Sequence, residues 1–328
     1  MPNSKSRVTA RKALVLIALV TIATSSCSPP SDREGSEHYP TPTTTRPALN
    51  EVELLESTGS SVKAQLAPAG DDVKDTHHEF STGVVGLEVL YMGHSFGRPF
   101  AENMENAAEL AGIDGHSQLI VSRGGERGAP QAMWENPNVQ VKIKETLDTG
   151  TVDILVMICC SQDLLASGVT NSWAELEIAE YALAQNPDTR IGLAMPWVDF
   201  PRNFNDAAEH RERTDEGFLA FHAFGEQLGA DLGGADVFTF YHGAAIYELR
   251  EMFELGELPE IESLIGPRAT SIFTDEKGHA GLLAKDVGTL IWLNAIYGID
   301  PLDVAMVDNY EVDIRQVASN ALESTVVT

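Results

Sequence analysis

From Gly83 onward the chain keeps one rhythm, in which a short apolar run ends in Gly, Ser or Pro and a helical pattern follows. The runs are Leu87–Met92, Gln118–Val121, Asp153–Ile158, Arg190–Met195 and Asp236–Phe240, each of strand length. Helical stretches are expected near 98–112, 130–147, 172–185, 204–229, 243–256 and 279–297. Strands that alternate with helices are joined by crossovers, so they assemble into a parallel sheet covered on both faces. The expectation is therefore α/β, a three-layer sandwich around a doubly wound, five-stranded parallel sheet.

A chain of 328 residues, 43% of them hydrophobic, has enough apolar material for a substantial core, which excludes fibrous, collagenous and wholly disordered architectures. Its formal net charge is −27, and no basic tract occurs beyond the first dozen residues. Binding to phosphate backbones needs clustered positive charge, so no nucleic-acid partner is expected. Such acidity repels anionic polymers and favours neutral or cationic substrates.

The N-terminus reads as a targeting segment. Lys5, Arg7, Arg11 and Lys12 precede an uncharged run from Ala13 to Ala23, which is too short to span a bilayer; Thr24-Ser25-Ser26 and Cys27 follow. This arrangement resembles the lipobox of bacterial lipoproteins, in which cleavage before the cysteine leaves a lipid-modified N-terminus, here Cys27. Thr24 departs from the aliphatic residue usual at its position. Residues 1–26 are thus expected to be a lipoprotein-type signal peptide, and the only membrane contact a lipid anchor at the cell envelope. Residues 27–80, rich in Ser, Thr and Pro, have too few apolar side chains to offset ordering and are expected to form a disordered tether. The folded domain is placed at 81–303 and a C-terminal tail at 304–328, either helical or trailing in solvent.

In an open parallel sheet, ligands bind beyond the carboxyl ends of the strands, where the strand order reverses. Polar clusters follow the first four runs: Gly93-His94-Ser95-Phe96, Ser122 to Gly128, Cys160-Ser161-Gln162-Asp163 and Pro196 to Pro201. Ser95 lies in a Gly-containing turn leading into a helix, where a hydroxyl can act as a nucleophile or simply as a helix cap. Far along the chain, His279 follows Asp275 and Glu276 in Thr274-Asp275-Glu276-Lys277-Gly278-His279. A carboxylate a few residues upstream can take the Nδ1 proton of the imidazole and leave Nε2 to act on a serine; it can also merely complement a helix dipole.

The order of these segments resembles the SGNH, or GDSL, hydrolase superfamily over roughly residues 85–300. The resemblance implies a flavodoxin-type sandwich, ester deacylation without a cofactor or metal, and a Ser-His-acid triad. It carries Ser95 onto the nucleophile, His279 onto the base and Gly128 onto the glycine whose amide joins the Ser95 amide in the oxyanion hole. His94 stands where the family has Asp, and Gln162 stands where it has the oxyanion-hole Asn. Asp275 lies four residues before His279 rather than three, while Glu276 has the family spacing. Asp275 is preferred because Gly278 allows an extra turn residue, and Glu276 is the alternative acid.

His94 and Trp197 are the candidate substrate contacts. Phe200 and Trp134 suit packing or contact with a sugar or acyl chain, His242 suits a structural role ahead of lining the rim, and Arg123, Arg127 and Arg202 suit solvated loop positions ahead of binding an anionic substrate group. Cys159 and Cys160 suit packing as reduced small hydrophobes. Two functions fit: an exported, lipid-anchored serine esterase acting on small-molecule or glycan esters, and a non-catalytic envelope binding lipoprotein on the same fold.

Overall fold

The computed structural model describes residues 83–158, 173–305 and 309–325. The expected signal peptide and tether, Cys27, Cys159, Cys160 and Gln162 lie outside them. In chain order the described elements are β1 (Glu88–Gly93), α1 (Arg98–Ala101), α2 (Met104–Leu110), β2 (Ser117–Ser122), α3 (Pro130–Trp134), α4 (Pro137–Leu147), β3 (Ile154–Ile158) and α5 (Trp173–Gln185). They continue with β4 (Arg190–Met195), α6 (Ala207–Asp231), β5 (Val237–Tyr241), α7 (Ala244–Leu255), β6 (Ser263–Ile265), β7 (Ser271–Phe273), α8 (Leu282–Tyr297) and α9 (Ile314–Glu323).

β1 to β5 form one sheet in the order β2-β1-β3-β4-β5, parallel at every pairing. This is the flavodoxin-like order, which reverses between β1 and β3 and opens its crevice there. The central strand β3 is the uninterrupted apolar run Ile154-Leu155-Val156-Met157-Ile158, every residue of which is buried. Successive side chains of a strand point to opposite faces, so complete burial requires cover on both. One cluster of helices, α1, α2 and α8, packs on β1, β2 and β5; another, α3, α4 and α5, packs on β2 and β3. The expected three layers result.

The helices expected at 98–112 and 130–147 are each broken. The second breaks at Asn136-Pro137, where the Asn136 side chain accepts from the Val139 amide and Pro137 takes the first helical position. Two further regions add to the expected strands and helices. β6 and β7 form a separate parallel ribbon, too short to show as periodicity. The residues assigned above to a tail contain α9, which packs on α7 and α8 and buries Ile314, Val317, Ala318 and Ala321, so the folded domain extends past residue 303. Among the described residues, no helix is long and apolar enough to cross a membrane.

Candidate active site

The turn after β1 is built around the backbone of His94. Its carbonyl accepts the amides of Gly97 and Arg98, both at 3.1 Å, and the Tyr91 hydroxyl at 2.6 Å. Its Nδ1 accepts the Phe96 amide at 3.3 Å. An Asp at the same position would bond the amide two residues on in the same way, which accounts for an imidazole standing there. Burial, with Lys277 and His279 adding charge nearby, pushes the His94 imidazole down to about 4, so it stays neutral and able to accept. His94 therefore serves the turn itself. The Ser95 amide donates to no described residue.

His279 arrives from the other end of the chain on a hairpin-like loop. Phe273, the last residue of β7, bridges antiparallel to Ala280, and the Thr274 amide donates to the His279 carbonyl at 2.7 Å. Inside this loop Gly278 has φ +97°, a conformation that only glycine adopts without strain. The resulting bend lets one oxygen of Asp275, Oδ1, accept the amides of Gly278 and His279 at 3.0 and 3.2 Å. Its second oxygen, Oδ2, is 2.6 Å from His279 Nδ1, and His279 Nε2 is 2.7 Å from Ser95 Oγ. Burial raises the Asp275 carboxyl, but its bonds to the His279 ring and backbone, the imidazole's charge and the Gly278 amide outweigh that and hold it below the usual carboxylate range. Glu276 points elsewhere, to an exposed ion pair with Arg202 at 3.3 Å. The structure thus brings together Ser95, His279 and Asp275, and leaves Glu276 out.

Gly128 closes the 3-10 turn Gly125–Gly128 beside this turn. A side chain there would collide with the Arg123 and Gly93 carbonyls and the β-carbon of His94, so only glycine fits. Trp197 requires a correction. Expected as a substrate contact, it is only 3% exposed. Its indole packs on Phe96 at 4.9 Å between ring centres and donates to the Gly278 carbonyl at 2.9 Å. It braces the histidine loop from below instead of facing a ligand. Phe200, in a left-handed conformation at φ 58°, donates its amide to the Lys277 carbonyl at 2.9 Å and remains exposed.

Behind this loop lies a cluster not anticipated from sequence. Arg250 is 2% exposed and gives its guanidinium to Glu254 at 2.8 Å, to the Pro201 and Phe204 carbonyls at 3.0 Å each, and to His210 Nδ1 at 3.2 Å. His210 Nε2 lies 2.8 Å from the Val198 carbonyl. The available signal was weak: Arg250 and Glu254 stand one helical turn apart on α7.

No protein-family model matches the chain, and no curated protein does. Among solved structures, a DUF4886 family protein from Bacteroides uniformis superimposes with a TM-score of 0.51 at 13% identity, over 75% of this chain and 98% of the other. The two share one fold. A Slackia heliotrinireducens protein assigned to the SGNH hydrolases gives 0.42 at 15% identity, covering 64% of this chain and 99% of its own. A family 3 carbohydrate esterase from Clostridium thermocellum gives 0.37 at 15% identity, covering 66% and 96%.

Proposed function

We propose that the protein is a serine hydrolase that deacylates carboxylic esters through a covalent acyl-enzyme. One observation carries this reading: Ser95 Oγ, His279 Nε2, His279 Nδ1 and Asp275 Oδ2 form an unbroken hydrogen-bonded line, with distances of 2.7 and 2.6 Å. A serine hydroxyl is a weak nucleophile until a base takes its proton, and an imidazole held from behind by a carboxylate is placed to do so. Ser95 attacks the ester carbonyl as its proton passes to His279 Nε2. The imidazolium, stabilised by Asp275, then gives that proton to the departing alcohol. Water, deprotonated by the same nitrogen, releases the acid. The Ser95 amide, which has no partner among the described residues, stabilises the oxyanion, together with the Gly128 amide and the Gln162 side chain in the oxyanion hole implied by the resemblance.

Small or carbohydrate-linked acyl esters suit a site at the open rim of the sheet. The sequence from Lys5 to Cys27 supports an exported protein tethered to the cell envelope by lipid on Cys27. The test is a fluorophosphonate probe on the folded protein, in parallel with Ser95→Ala and His279→Ala. Wild-type labelling that is lost in both variants is expected; a folded wild type that stays unlabelled favours the non-catalytic binding lipoprotein.

A further inference from the structure

His242 follows β5 and is wholly buried. Its ring packs among Phe100, Trp292, Trp197 and Phe240, with centres 4.8 to 6.1 Å away. Placing an imidazole in such an aromatic nest is costly, and a hydrophobic side chain of similar size would pack there without that penalty. The polar contact the imidazole provides is from Nε2 to the carbonyl of Phe96, at 2.9 Å. A carbonyl only accepts, so Nε2 carries the proton, and Nδ1 finds no partner among the described residues.

Phe96 is the residue after Ser95. Its carbonyl receives no backbone amide from α1: the Phe100 and Ala101 amides bond to Gly97, and Pro99, three residues on, has no N–H to offer. His242 supplies the missing donor from 146 residues away. At the other end of the same residue, the Phe96 amide is held by His94 Nδ1. Both backbone polar groups beside the nucleophile are therefore bonded to imidazoles. Burial first, then the charge of His94, depress the His242 imidazole to about 3 against the opposing bond to Phe96, so the ring stays neutral with its one proton directed at that carbonyl.

We propose that His242 is a positioning residue: its Nε2–H fixes the Phe96 peptide plane, and so aims the Ser95 hydroxyl at His279 and the Ser95 amide at the acyl oxygen. This rests on Ser95 being the nucleophile. The test compares wild type with His242→Leu, His242→Gln and His242→Asn, scored for fluorophosphonate labelling rate and 4-nitrophenyl acetate hydrolysis per folded molecule. Leu removes the donor. Gln places an amide N–H near the position of Nε2, whereas Asn places one near Nδ1, out of reach of Phe96.

The Leu variant is expected to label about 100-fold more slowly, with kcat reduced in parallel and KM nearly unchanged, as a misaimed nucleophile predicts. Gln recovers most of that rate and Asn does not. If the Leu variant does not fold, the Gln and Asn pair still decides the matter, since both leave a buried amide. Equal rates in folded Gln and Asn variants, or a Leu variant that labels at the wild-type rate, overturn the proposal and leave His242 a packing residue. A folded wild type that never labels removes the nucleophile assignment, and this proposal with it.

Discussion

His279 and His210 lie against two loops joined by the Phe200 amide to Lys277 carbonyl bond, and each commits both ring nitrogens. They differ in what stands at the far end. His279 is backed by the Asp275 carboxylate and faces a hydroxyl at the rim; its side chain is 32% exposed. His210 is wholly buried, bonded to the Val198 carbonyl on one side and to a guanidinium on the other. A carbonyl has no proton to give and Arg250 does not release one, so that imidazole moves nothing and only ties chain segments together. Burial, opposed by the bond to Val198 and reinforced by the charge of Arg250, holds it neutral with a pKa of about 4. On the proposed mechanism, one side-chain chemistry thus supplies a proton relay at the rim and a rivet behind it, according to what it faces and whether water reaches it.

Asp275→Asn breaks the rim alone. With the carboxylate gone, the imidazole loses its orienting acceptor and its counter-charge, and kcat for ester hydrolysis is expected to fall by about 10³- to 10⁴-fold while the melting temperature hardly moves. Glu276→Gln is the matched control: its ion pair with Arg202 is exposed, so kcat stays within roughly twofold. Equal losses in the two variants would erase the distinction between the acids.

Arg250→Met breaks the rivet. Two backbone carbonyls, His210 Nδ1 and the half-buried Glu254 lose their shared donor, and stability should drop by about 3 kcal/mol, lowering the melting temperature by about 10 °C. At 25 °C the folded variant retains labelling by the fluorophosphonate probe. Loss of labelling without loss of stability would instead place Arg250 in the chemistry.

Acid provides the finest separation. His94, His210 and His242 have folded pKa values of about 4, 4 and 3, below the value near 6.5 of the unfolded chain. Between those limits the unfolded state binds more protons, so stability declines as pH falls. The slope reaches at most about 1.4 kcal/mol per pH unit for each buried histidine. Thermal melts should show a flat melting temperature above pH 7 and a decline from about pH 6.5 towards pH 4; an unchanged value at pH 5 contradicts the neutral, buried histidines.

Much of this was legible before any coordinates. The Asp153–Ile158 run read as a strand of a sheet covered on both faces through its length and the alternation with helices, and its neighbours followed from the same rhythm. Ser95 stood out in a glycine-containing turn after a strand, and His279 stood out behind two carboxylates. For the acid, Gly278 already pointed to Asp275 over Glu276, but the sequence does not show the positive φ of that glycine, which turns an out-of-register carboxylate inward. Trp197 misled because one aromatic in a proline-flanked loop has no periodicity to report burial. α9 carried a readable signal, with Ile314, Val317, Ala318 and Ala321 at helical spacing, but little flanking pattern to weigh it against. The Arg250 cluster draws its partners from three separate segments, a convergence no local window contains.

Ser95 and His279 are 184 residues apart, and the last strand of the main sheet ends at Tyr241, before the histidine loop begins. Every strand of the main sheet and the serine turn are therefore encoded before the base. A truncated product that ends anywhere before Asp275 retains the serine turn without the means to activate it, so on the proposed mechanism hydrolysis requires a chain that is complete through the histidine loop.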